Sequence, residues 1–106
     1  MTNEILTAAA IPNRPARYPN PPAQTYAVYF ESMTADGADE SPAQIFTYDC
    51  TVEIYAPSVE EGNASMDRLR AEMGDRGIHF TTQGWYWLKS VHRYQEIVGF
   101  TYIKKT

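Results

Sequence analysis

Residues 46–55, Phe-Thr-Tyr-Asp-Cys-Thr-Val-Glu-Ile-Tyr, alternate between apolar and polar side chains without a break. Phe46, Tyr48, Cys50, Val52 and Ile54 fall on one side of an extended chain. Thr47, Asp49, Thr51, Glu53 and Tyr55 fall on the other. A helix cannot use this period, because it would scatter the apolar residues around its whole circumference. The segment is therefore a strand with one side on a core and one side wet, as in a sheet covered mainly on one face. A chain of 106 residues has room for one such core, so a single domain over residues 1–106 is expected.

The other patterned segments fit around that strand. Tyr26, Val28 and Phe30 alternate with Ala27, Tyr29 and Glu31 and predict a first strand. Ser32 to Gln44 is polar, acidic and glycine-containing, and reads as a long mobile loop. After Ala56-Pro57, Ser58 and Glu61 have the spacing of a capping box. The helix they open carries a stripe of Val59, Met66, Leu69 and Met73, with Glu60, Asp67, Arg68 and Glu72 outside it. Gly62 and Asn63 weaken its first turns, so regular helix is expected one turn later; Gly77 is placed to end it.

Ile78, Phe80 and Thr82 begin a third strand that continues through Trp85-Tyr86-Trp87-Leu88, with a bend or bulge at Gly84. Val91 to Ile103 predicts a fourth, with Val98, Phe100 and Tyr102 on one side and Ile97 and Ile103 on the other. A strand apolar on both sides is covered twice, by its own fold or by a neighbouring subunit. The expected class is α+β: a four-stranded, mostly antiparallel ββαββ sheet with the main helix packed on Tyr48, Cys50, Val52 and Phe100. Ahead of it, Ile5, Leu6 and Ala9 allow a short N-terminal helix over residues 2–10, capped by Thr2 or Asn3. Five prolines between residues 11 and 22 then predict a semi-rigid connector that stays out of any ladder. Residues 1–24 are thus helix and connector, and 25–104 the sheet–helix core.

Chemistry-bearing residues are sparse. The net charge is −4 and the basic residues are scattered, Lys104-Lys105 at the tail being the only adjacent pair. That balance argues against nucleic-acid recognition and anionic-membrane binding, which need cations in excess. No apolar stretch approaches a membrane span, and the N-terminus lacks the basic start and apolar run of a secretory signal. The one cysteine, Cys50, excludes an intrachain disulfide and fits a reducing compartment, so a soluble protein made inside the cell is expected. Cys50 lies on the inward side of its strand, and nothing in the sequence places His79 or His92 beside it, so no catalytic residue is expected. One cysteine and two isolated histidines do not make a zinc site. Asp36, Gly37, Asp39 and Glu40 lack the ligand spacing of a calcium loop. Neither metal nor cofactor is expected.

Aromatic residues are abundant instead: eight Tyr, four Phe and two Trp. Most suit a half-buried sheet; the remainder suit an interface between proteins. For Trp85 and Trp87, packing is a better reading than a stacking platform for single strands, since no basic groove flanks them. The candidate interface residues are Tyr29, Asp36, Asp39, Glu40, Tyr55, Trp85 and Trp87.

Several elements together resemble a known family: Ile11-Pro12 with the Pro-rich connector, Tyr26-Ala-Val-Tyr-Phe-Glu31, the Asp36-Gly-Ala-Asp39 loop, Tyr48-Asp-Cys-Thr-Val-Glu-Ile-Tyr55, Gly77-Ile78, Trp85-Tyr-Trp87, and Tyr94-Gln95 through Phe100-Thr-Tyr102. Over residues 5–104 the chain resembles the tail terminator, or tail completion, proteins of long-tailed phages and prophages. The resemblance implies an antiparallel sheet with helices on one face. It also implies a hexameric ring of copies that caps the tail tube and meets the head connector, so that the tube protein and a head completion protein are partners. The protein would then be a virion component of tail and neck, present in the host cytoplasm during assembly. Two alternatives stay open: another head–tail joining component, or a small phage-encoded protein that inhibits a host factor.

Overall fold

The structure is a computed structural model that describes residues 1–36 and 45–105. Its elements run α1 (Thr2–Ala8), β1 (Asn13–Pro15), β2 (Tyr26–Asp36), β3 (Ile45–Ala56), α2 (Val59–Asp75), β4 (Phe80–Thr82), β5 (Tyr86–Leu88) and β6 (Arg93–Lys105). The sheet has six strands in the order β1-β2-β3-β6-β4, with β5 also on β6. The class is α+β, as expected, and α1 is the short N-terminal helix; the sheet differs in having six strands rather than four, with one parallel pair.

Each extra strand has a local cause. The Pro-rich connector does join the ladder: Asn13 to Pro15 run parallel to Ala27 to Tyr29 at the sheet edge. Pro12 contributes the atom that proline keeps, its carbonyl, which accepts the Ala27 N–H at 2.8 Å, and Ala16 N–H donates to Tyr29 at 3.0 Å. A missing N–H is harmless on an edge whose outer side has no neighbour. The predicted third strand divides at Gly84, whose φ of 94° bends the chain, so that β4 and β5 pair separately with β6. Residues 32–36 are not loop: they continue β2 in unbroken register with β3, Ser32 opposite Asp49 and Asp36 opposite Ile45. The rest of the expected loop, 37–44, lies outside the described residues.

Helix α2 begins directly after Ser58, whose hydroxyl accepts the Glu61 N–H, rather than one turn later. Gly62 does not delay it, because the missing side chain makes room for Trp85. A Cβ there would stand 2.5 Å from Cη2 of that ring. The helix closes at Gly77 (φ 69°) with Ile78 N–H on the Met73 carbonyl and Gly77 N–H on that of Gly74, the paired bonds of a Schellman ending. Its buried stripe is Gly62, Ser65, Met66, Leu69 and Met73, while Val59 is left exposed.

Register fixes which residues share a face. Cys50, Val52 and Ile54 of β3 lie level with Phe100, Val98 and Glu96 of β6 and with Glu31, Tyr29 and Ala27 of β2. On this face sit Met66, Leu69 and Met73 of α2 and Ile5, Leu6 and Ala9 of α1, which complete the core. Thr2, expected as a cap, is instead fully buried and donates its hydroxyl to Cys50 Sγ at 3.4 Å; Met1 takes the cap position without a side-chain bond. Arg68, on the outer side of the stripe, ties the helices together by donating Nε–H to the Ala9 carbonyl at 2.8 Å.

Leu69 is fully buried at the centre of this layer. Leu69→Ala is expected to cost about 2–5 kcal/mol in denaturant unfolding, the range for buried leucine truncations. Gly62→Ala should lower the melting temperature and shift tryptophan emission to the red, since expelling Trp85 costs more than the ~1 kcal/mol gained in helix propensity.

Candidate functional site

The two sheet faces are covered in different ways. The helices cover one. On the other, Tyr26 and Val28 are buried although no helix lies over them. Tyr26 stacks on Tyr55 at 5.2 Å between ring centroids and meets the edge of Tyr18, from the connector, at 5.3 Å. The Arg14 guanidinium lies 5.8 Å from the Tyr18 ring. The connector therefore closes one end of the helix-free face. Gln95 Nε2 donates to the Tyr55 hydroxyl, which donates to Glu53 Oε1, and that chain of bonds holds the surface rigid. Burial is the main reason that the hydroxyls of Tyr26 and Tyr55 are both pushed above the ordinary tyrosine range.

Beyond that closed end the sheet runs on uncovered. Residues 31–36 of β2, 45–49 of β3 and 101–105 of β6 form a three-stranded arm, and no side chain described in it is buried. Six residues of strand span about 20 Å, and the molecule is correspondingly long, 51 × 27 × 21 Å. Met33 (54 % exposed), Ile45 (38 %) and Ile103 (63 %) show apolar side chains to solvent there. At the root of the arm Tyr48 and Tyr102 stack at 4.7 Å, nearly parallel, beside Glu31 and the first turn of α1. Burial first, and then the Glu31 carboxylate, push the Tyr102 hydroxyl up to about 12.

A second feature stands at the opposite end. Glu96, 3 % exposed, accepts the N–H groups of Gln83 and Gly84 on one carboxylate oxygen, each at 3.1 Å. That clamp fixes the bend between β4 and β5. It sets Trp85 over Gly62, with Nε1–H donating to Asn63 Oδ1 at 2.9 Å. Trp87 is half exposed, its ring edge-on to Tyr94 and His92.

The structure thus scatters the seven sequence candidates. Tyr29 packs against the core from the helix side, and Trp85 makes an intramolecular contact with α2. Tyr55 belongs to the helix-free face and Trp87 to the far corner. Asp36 ends β2 at the tip of the arm, while Asp39 and Glu40 lie outside the described residues. Residue reading missed the arm itself. The signal available was the exposed Ile103 in a strand apolar on both sides, together with Ile45 at the head of the alternating segment.

Cys50 and His79 do line one shallow depression, with Asp49, Phe80 and Phe100. No hydrogen bond joins the thiol to the imidazole among the described residues, and burial pushes the thiol up, away from the reactive thiolate. Among the described residues there is no group of three or more metal-ligating side chains, and no helix is long and apolar enough to cross a membrane. No protein-family model and no curated protein matches the chain.

The raised tyrosine gives a pH dependence with a definite sign. Tyr102 loses its proton near 10 when unfolded and near 12 when folded, so folding favours the protonated form. Its contribution is complete below pH 10 and is lost as pH rises through 12. Tyr102→Phe should show a shallower fall of melting temperature across that interval than the natural chain. An unchanged slope would mean that Tyr102 is not held protonated by the fold.

Proposed function

We propose that this protein is a phage tail terminator, a virion structural subunit that assembles as a ring, caps the tail tube and joins the tail to the head connector. The observation that carries the reading is the uncovered arm. A sheet needs a covered apolar face to be stable by itself, and three strands displaying Met33, Ile45 and Ile103 have none of their own. Met33 lies on the face of Tyr48 and Tyr102, Ile45 and Ile103 on the opposite one, and surfaces of this kind are suited to burial between subunits.

Three further observations support it. The helix side and the connector side of the sheet differ in shape and chemistry, as the two unlike patches of a head-to-tail ring must. The polar residues best ordered by hydrogen bonds, Glu53, Tyr55, Gln95 and Glu96, serve rigidity, which suits a part that acts by position. The one thiol is a core side chain. In the assembly, ring copies meet one another along their sides, one rim meets the tube protein and the other meets the head completion protein.

Deleting the gene from the phage or prophage that carries it tests the proposal. Cells should then accumulate unjoined heads and tails of abnormal length, and both defects should be repaired by the chain supplied in trans. Normal infectious particles from the deletion would overturn the terminator reading in favour of an inhibitor of a host factor.

A further inference from the structure

The arm has two free edges, and the backbone pattern shows what they offer. On β2 the Ala27 N–H donates outward to Pro12, and the Tyr29 carbonyl accepts from Ala16, so odd-numbered residues of β2 direct their N–H and C=O away from β3. The β2–β3 register runs unbroken from Tyr26–Tyr55 to Asp36–Ile45, which carries this alternation to the tip. Glu31, Met33 and Ala35 therefore present unpaired donors and acceptors, since β1 ends its pairing at Tyr29. The same alternation, carried through the unbroken β3–β6 register, turns the odd residues of β6 outward. Their partners β4 and β5 reach Phe100, and the Phe80–Phe100 pair is held through the outward groups of Gly99 and Thr101, which leaves the edge open from Ile103 onward. Among the described residues nothing pairs with either stretch.

These edges are complementary to each other. Both strands are antiparallel to β3, so they point the same way, and Asp36 and Lys105 stand at one level through Ile45. The β2 edge carries Glu31 and the β6 edge carries Lys104, both exposed. Unlike charges on the two edges favour one edge meeting the other, and like charges disfavour either edge meeting itself. Native sheets seldom leave such edges bare unless pairing is their use.

We propose that copies of this chain join by strand addition, the outer edge of β2 (Glu31 to Ala35) of one copy pairing in parallel with the outer edge of β6 (Ile103 to Lys105) of the next. The occupant of each edge is a second copy of the chain. The inference rests on the ring assembly proposed above and specifies its contact. Rotation about the arm's long direction preserves strand polarity, so one head-to-tail junction repeats around the ring and leaves no bare edge on any arm when it closes.

Proline substitutions separate this contact from every other. Met33→Pro and Ile103→Pro each remove an outward N–H without touching a bond to β3. Each should fall from the mass of the ring to the 12.0 kDa of one chain in light scattering, with the folded circular-dichroism spectrum kept. Met33→Pro retains its β6 edge and Ile103→Pro its β2 edge, so an equal mixture should form dimers and go no further. Met33→Leu, which keeps both the amide and an apolar side chain, should assemble as the natural chain does. Independently of any variant, the Met33 and Ile103 amides of the natural assembly should exchange with solvent far more slowly than in the monomer. Ring-sized mass in both proline variants, loss of assembly in Met33→Leu, or fast exchange of those amides in the assembly would overturn the strand-addition contact while leaving the ring. A natural chain that stays monomeric alone and with tail tubes would overturn the ring itself.

Discussion

The antiparallel pairing of β3 with β6, continuous from Ile45–Lys105 to Ala56–Tyr94, is the constraint on which the remaining structure depends. It brings two segments separated by the whole of α2 into the middle of the sheet. Because side chains alternate along a strand, that single register decides both faces at once. Cys50, Val52 and Ile54 meet Phe100, Val98 and Glu96 on the helix side, while Thr51, Glu53 and Tyr55 meet Gly99, Ile97 and Gln95 on the other. A slip of one residue would expose the core and bury Glu53. The β3–α2–β4 crossover leaves the gap that β6 fills, so the hydrophobic layer closes only when the last strand is in place.

The ends of the molecule are finished by different interactions. At the β4–β5 bend, a buried carboxylate would be costly if unpaired, yet Glu96 collects two backbone N–H groups and becomes the clamp that holds Trp85 on α2. At the N-terminal end, Ala10 adopts φ 59° so that α1 can turn sharply and bury Ile11 before the connector starts. Alanine bears a cost in that conformation that glycine would not. The Arg68 bond to Ala9 holds the same turn against α2. Among the described residues the arm has no such finishing, and its exposed apolar residues and free strand edges follow from that. Function by assembly and function by chemistry place opposite demands on a small domain. This one has its polar bonds in places that stiffen it and its unsatisfied surface in a place that another chain can reach.

Much of the fold was legible in the residues because its causes are local. The alternation of residues 46–55, the Ser58–Glu61 cap, the Gly77 ending and the inward position of Cys50 each depend on a period or on a few neighbouring residues. What the sequence did not disclose depends on partners distant along the chain. Residues 32–36 look like loop because their polar side chains need no core, and only the ladder with β3 makes them strand. The connector becomes β1 because one edge of β2 offers it bonds that its prolines do not obstruct. Gly62 reads as a helix-weakening residue until Trp85, more than twenty positions away, is placed against it. The candidate surface divides in the same manner. Sequence supplied the surplus of aromatic and apolar strand residues, whereas the sheet order decided which of them, Met33, Ile45 and Ile103 rather than Tyr29 and Trp85, remain free. Periodicity determines the face on which a side chain lies; tertiary structure alone determines whether anything covers that face.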